Sequence, residues 1–179
     1  MKIHIFGASG SGTTTLAKAL GEHLGWLALD ADEYYWKLTD PPYQEKYPLE
    51  ERSQNMQRAV EEAAQVIVSG SMVSWGDYWN NVFDLAVFLY IPKGLRMERL
   101  RAREEERYGD RLKTDADIQA TSKEFLEWAE QYDEGDVEMR SLAIHEAWMK
   151  RLACPVLRLE GDLTVAERVA KVVEAINKL

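Results

Sequence analysis

The sequence predicts an α/β fold built on a parallel sheet, and three observations carry that expectation. Short apolar runs over residues 3–6, 26–29, 66–68, 85–91 and 156–159 alternate with stretches of helical periodicity. A glycine-rich turn (Gly7, Gly10, Gly12) joins the first run to the first helix. The alternation is interrupted once, by two successive helical stretches between residues 110 and 153. Strand–helix alternation of this kind puts helices on both faces of a sheet whose strands run one way. The expected organisation is one domain over residues 1–179, with a core of 1–108 and 154–179 and a helical lid insertion over about 109–153.

Composition narrows the class. A chain of 179 residues can bury one core, and 46% apolar with 30% charged residues is ordinary for a globular protein. A net charge of −9 with no basic run to offset it argues against nucleic acid or an anionic membrane as partner. Cys154 is the single cysteine, which excludes an internal disulfide and a cysteine-based zinc site. The first strand begins at residue 2 and no apolar run approaches membrane-spanning length, so a cytoplasmic monomer or homodimer is expected.

The turn after the first strand has the setting of a phosphate-binding loop. Glycines let successive N–H groups curl toward an anion, and the helix that follows adds its positive end. Against G-x-x-x-x-G-K-[ST], Gly7, Gly12 and Thr14 match, while Thr13 stands where lysine is expected. Gly7, Ala8, Ser9, Gly10, Ser11, Gly12, Thr13, Thr14 and Thr15 are the candidate nucleotide contacts. A chance glycine turn, or a loop that binds without catalysing, are the competing readings. Lys18 lies off the stripe Leu16, Ala17, Leu20 and Leu24 and beside Glu22, so a replacement cation is expected from elsewhere in the chain.

The second strand delivers Asp30 and Asp32. Carboxylates in that relation beyond a strand end can divide two tasks, Asp30 with Thr14 toward Mg²⁺ and Asp32 toward an acceptor hydroxyl. Either can instead cap the turn that follows. Residues 34–47 carry Tyr34, Tyr35, Trp36, Tyr43 and Tyr47 around Pro41-Pro42, which suggests a non-helical surface for stacking a ring or a plug on the sheet end. Arg52, one turn before Met56 on the next helix, and Trp75 in a further aromatic cluster are candidate substrate contacts alongside Tyr34 and Tyr35. Ser69-Gly70-Ser71 ends the third strand without an acidic residue.

The helix over residues 93–108 carries Arg99, Arg103 and Arg107 at spacing four on one face, although interleaved glutamates can pair with many of its arginines. Of the two later helices, the first is expected to start from Thr114 and to bury Ile118, Phe125, Ala129 and Tyr132. The second is expected to bury Val137, Ser141, Ile144, His145, Trp148 and Leu152, the pair packing on itself as a hairpin. Arg140 lies off both stripes, where a closing lid can carry it over phosphates. A last helix is capped by Thr164 with Glu167 three residues on.

On residues 7–14 in their strand–helix context, and on the order of elements over nearly the whole chain, the sequence resembles the P-loop small-molecule kinases: adenylate and other nucleoside monophosphate kinases, with shikimate and gluconate kinases as relatives. The resemblance implies a five-stranded parallel sheet in the order 2-3-1-4-5, with ATP and Mg²⁺ as donor. It matches Asp30 and Asp32 to the paired acids of shikimate kinases. It also matches Arg99 and Arg103 to the arginines flanking the lid, and Arg140 to a lid arginine. Thr13 and the Ser69-Gly70-Ser71 segment depart from the family pattern. Between Asp30 and Pro92 the basic residues are Lys37, Lys46, Arg52 and Arg58, a charge-poor, aromatic-rich setting for a nucleoside, nucleotide or other hydroxylated acceptor. A nucleotide-binding regulator without transfer activity is the alternative.

Overall fold

The computed structural model describes residues Met1–Leu179. Its centre is β1 (Lys2–Gly7), whose period-two alternation sends Ile3 and Ile5 to one face of the sheet and His4 and Phe6 to the other, all four fully buried. β1 pairs in parallel with β3 (Val66–Ser69) on one side and β4 (Leu85–Tyr90) on the other. β2 (Leu27–Asp30) and β5 (Val156–Glu160) form the two edges, which gives the order β2-β3-β1-β4-β5. The chain therefore leaves β1 toward one edge and later crosses to the other. Ligands of open α/β sheets bind in the crevice beyond the strand ends at such a switch point.

Two cores flank the sheet. Ile3, Ile5, Leu16, Leu20, Val87 and Val172 join α1 (Thr13–Leu24) and α8 (Val165–Ile176) to one face. On the other face Phe6, Met56, Val60, Trp79, Phe88 and Trp148 gather under α3 (Leu49–Glu62) and α7 (Leu142–Met149). Each large apolar side chain fully buried there contributes about 1.5–3 kcal/mol. His4 occupies a core position, stacked between Phe6 at 5.0 Å and Phe83 at 4.7 Å.

The arginine-bearing helix α4 (Lys93–Tyr108) is followed by α5 (Arg111–Thr114) and α6 (Ala116–Glu130). α6 is capped by Asp115, whose carboxylate accepts from the N–H groups of Asp117 and Ile118, and not by Thr114, whose hydroxyl turns back to Asp110. The expected self-packed hairpin does not form. α6 lies on α4 through Met97, Leu100, Phe125 and Ala129, while Trp148 of α7 enters the main core. Asp136 to Arg140 are not helical, because Ser141 supplies the cap that starts α7 by accepting from Ile144, and Val137 is exposed. The short α2 (Ala31–Tyr35) follows β2 directly at the carboxyl end of the sheet. No helix is long and apolar enough to cross a membrane.

Candidate active site

Gly7 to Gly12 curl into a cradle at the carboxyl end of β1. A side chain at Gly7 would lie 2.4 Å from the Leu89 carbonyl oxygen, so only glycine allows β4 to approach there. Gly10 and Gly12 take φ of 79° and 90°, which glycine adopts without strain. α1 is preceded by Gly12 at its N-cap, with no side-chain cap and no acidic residue in its first turn. As a result the N–H groups of Ser9, Gly10, Gly12, Thr13, Thr14 and Thr15 have no protein acceptor. A bare helix start of this kind, with its dipole, is suited to holding an anion. Ser11 departs from its neighbours: its side chain is fully buried and its N–H closes a turn onto Ala8.

A cavity of about 1120 Å³ opens from this loop, more than one small ligand requires. Its wall includes Gly7, Ala8, Ser9, Gly10, Gly12, Thr13, Thr14 and Thr15 from the loop, and Asp32 beyond β2. Six cationic side chains line it (Lys46, Arg99, Arg103, Arg107, Arg140 and Arg168) against the carboxylates of Asp32, Glu104, Glu124 and Asp162. A protein of net charge −9 thus keeps a positive interior here.

The arginines are held differently. Arg99 pairs with Asp162 at 2.8 Å, and Arg107 with the buried Glu104 at 2.7 Å while its guanidinium lies 4.7 Å from the Tyr43 ring. Arg103 and Arg140 have no carboxylate or hydrogen-bond partner; they lean on Phe125 and Trp128 of α6, at 5.7 Å each. Enclosure, and then the neighbouring Arg107, lower the pKa of Arg103. Arg168 was not among the expected site residues. It is almost fully buried on α8, and its Nη1 donates to the Ser11 carbonyl at 2.9 Å. The same nitrogen would lie 3.2 Å from a side chain at Gly12. The helical pattern of α8 offered no signal for it, since Arg168 reads there as one more surface charge.

Asp30 caps α2 by accepting from the Asp32 N–H at 3.0 Å, and its other oxygen accepts from the Thr14 hydroxyl at 2.8 Å. The capping reading holds for this carboxylate, whose second oxygen is also tied to the loop. That leaves Asp32 to face the cavity. Enclosure raises its pKa; Arg140 opposes this, Asp30 reinforces it, and Arg103 and Arg107 oppose it further. An oxygen-only pair such as Thr14 and Asp30 suits Mg²⁺, which is commonly bound through one or two carboxylates and the phosphates themselves. No group of three or more His, Cys, Asp or Glu side chains that could hold a metal ion is present.

Beyond β2, Tyr35, Trp36, Pro42, Tyr43 and Lys46 line the wall of the cavity. Residues 36 and 46 meet in one antiparallel bridge, with the Lys46 ammonium 5.4 Å from the Trp36 ring. Of the other expected contacts, Tyr34 packs against the core. Arg52 is buried, 4.0 Å from the Tyr35 ring and 5.3 Å from the buried Trp75. Arg52 and Trp75 therefore support Tyr35 from behind instead of reaching the cavity. Gly70 and Ser71, beyond β3, complete the wall.

Loop, switch point and cation-lined cavity together define a P-loop fold of the kinase-like type. Comparison with known proteins agrees. Residues 3–124 match the model of the AAA domain family, and the chain belongs to that family. It is 43% identical over 175 residues to the uncharacterized protein YqaC of Bacillus subtilis, covering 98% of this chain and 97% of that one. It is 31% identical over 115 residues to the cytidylate kinase of Archaeoglobus fulgidus, 58% of this chain and 62% of that one. Shikimate kinase from Aquifex aeolicus shares the fold, with a TM-score of 0.57 at 16% identity over 99% of this chain and 97% of that one.

Proposed function

We propose that the protein is an ATP-dependent phosphotransferase acting on a small hydroxyl-bearing acceptor: a nucleoside, a nucleoside monophosphate or a similar metabolite. One observation carries this reading, a surplus of hydrogen-bond donors around a single cavity. Six loop amides and the guanidinium groups of Arg103 and Arg140 have no protein acceptor. A polyphosphate supplies acceptor oxygens and negative charge at that density.

In this reading the loop amides hold the β-phosphate. Arg168, fixed by the Ser11 carbonyl, supplies charge beside Thr13 that the loop itself lacks. Arg99 and the Asp162–Val165 segment flank the base. Thr14 and Asp30 would hold Mg²⁺, which neutralises phosphate charge when bound. Arg103, Arg107 and Arg140 face the transferring phosphoryl group. Asp32 orients the acceptor hydroxyl and takes its proton as the oxygen–phosphorus bond forms and the bond to the ADP oxygen breaks. Its raised pKa suits it to that exchange. Catalysis by positioning and fixed charge leaves no need for the ammonium to come from position 13. α5 and α6 form the moving lid, with α7 remaining in the core, and the protein works in the cytoplasm.

The kinase relative, which is a cytidylate kinase, and the ring faces of Tyr35 and Trp36 support a nucleoside or nucleotide acceptor. Thr13 in place of the loop lysine is the observation that favours a regulator that binds ATP without transferring. ADP release with Mg²⁺-ATP across a panel of nucleosides, nucleoside monophosphates, sugars and shikimate separates the two. Turnover with one of these is expected. Tight ATP binding without turnover on any of them assigns the regulator.

A further inference from the structure

A buried polar chain runs into the acceptor side of the cavity and takes no part in the phosphate chemistry above. Ser71 lines the cavity with 7% of its surface exposed, and its Oγ lies 2.9 Å from His145 Nε2. The other ring nitrogen, Nδ1, lies 2.7 Å from the Tyr132 hydroxyl. His145 and Tyr132 are both buried, and these are their only side-chain hydrogen bonds.

The direction of the chain follows from proton counting. Burial keeps His145 neutral, with a pKa lowered to about 3, so one ring nitrogen carries hydrogen and the other does not. Tyr132 has no second partner that could accept its phenol hydrogen. Were it to accept from Nδ1–H, a buried O–H would be left without an acceptor, a cost of about 1–3 kcal/mol. Burial also raises the Tyr132 pKa, which keeps the phenol protonated. Tyr132 therefore donates to Nδ1, the ring hydrogen sits on Nε2, and Nε2–H donates to Ser71. With one lone pair taken from behind and no other protein partner, the Ser71 hydroxyl hydrogen turns to the cavity. The neighbouring Gly70 fixes the position: its carbonyl accepts from His4 at 2.7 Å, and a side chain there would crowd Ala31 at 3.1 Å.

The geometry points to Ser71 as a specificity-determining hydrogen-bond donor to the phosphoryl acceptor, held in the donor orientation by His145 and Tyr132. It selects an acceptor bearing a lone-pair atom, such as a carbonyl oxygen, ring nitrogen or carboxylate, near the hydroxyl that receives phosphate. This rests on the phosphotransferase reading for its function but not for its geometry.

Nitrogen NMR of protein labelled with ¹⁵N-histidine at neutral pH tests the geometry by itself. Hydrogen on Nε2 and a bare Nδ1 are expected for His145, and Tyr132→Phe should weaken that preference. Hydrogen on Nδ1 in the wild-type protein overturns the proposal, whether or not the protein transfers phosphate. Kinetics then test the role, using cytidine, cytidine monophosphate and shikimate with Mg²⁺-ATP. For any acceptor that turns over, Ser71→Ala should raise its KM about tenfold or more and leave the KM for ATP unchanged. Tyr132→Phe should shift the same KM by less. An unchanged acceptor KM in Ser71→Ala overturns the proposal. Absence of turnover by the wild-type protein on all three acceptors speaks against the phosphotransferase reading, and the nitrogen spectrum still decides the orientation.

Discussion

Arg168 on the last helix donates to the carbonyl oxygen of Ser11 at 2.9 Å, tying the end of the chain to a loop 157 residues earlier. The bond lies under the glycine cradle, so the loop's shape depends on a side chain from the opposite end of the sequence. Charge-assisted bonds of this type are worth about 1.5–3 kcal/mol. Arg168→Met should weaken ATP binding about ten- to a hundredfold by calorimetry. Arg168→Lys should recover part of that loss. Unchanged affinity in the methionine variant would remove Arg168 from the site.

Arg103 and Arg140 face the cavity with no ion pair to lose. Arg103→Gln and Arg140→Gln should therefore leave the melting temperature unchanged or slightly higher, because the Arg103–Arg107 repulsion is relieved in the first. The same variants should lower kcat by about a hundredfold or more, the scale for removing a group that stabilises transition-state charge. Thermal melts and ADP release measured together check this. A loss of stability with intact kcat would assign both residues to the fold.

Asp32 carries a raised pKa, and the sign of its effect follows. The folded state holds the proton more tightly than the unfolded chain, so the stabilisation is whole below the ordinary carboxylate pKa. It is lost as pH rises through the elevated folded value. Asp32→Asn should therefore be as stable as the wild type or more so at pH 8, while losing about two to four orders of magnitude in kcat. The acid limb of kcat/KM in the wild type should lie above the ordinary carboxylate range. An acid limb within that range would contradict the enclosure described for this carboxylate.

His4 and His145 work in the opposite sense. Burial lowers His4 from 6.5 to about 4, partly offset by its bond to Gly70. Burial, with the charge of Arg140 behind it, lowers His145 from 6.5 to about 3. Their stabilisation is whole above 6.5 and is lost as pH falls toward 4 and 3, because the unfolded rings gain protons first. The urea midpoint should drop by roughly 1–2 M between pH 7 and pH 5. A flat midpoint over that range would mean the rings are not enclosed as described.

The fold was legible because apolar runs of strand length and a glycine turn report on local geometry. The sheet order came with the family likeness of Gly7 to Thr14 in its strand–helix setting. Asp32 follows from a strand end, and Arg99, Arg103 and Arg107 from one helix face, while Arg140 reaches the cavity from a non-helical segment off both helical stripes. Arg168 and Ser71 could not be named, since their roles come from contacts across 157 and 74 residues that no local pattern records. Aromatic and basic residues near a crevice look alike in sequence whether they line it or brace it, as Trp75 and Arg52 do behind Tyr35. The expected hairpin is absent for a related reason: the apolar stripe of α7 is real, but it is buried against β1 and β4 and not against α6.

In the proposed mechanism, loop amides and guanidinium groups together hold a polyphosphate. Calorimetric titration of the wild-type protein with ATP and with adenosine, both with Mg²⁺, tests it most directly. The expected result is ATP binding at least about a hundredfold tighter than adenosine, the equivalent of one or two charge-assisted hydrogen bonds to phosphate. Equal affinities, or no binding of ATP, would contradict it.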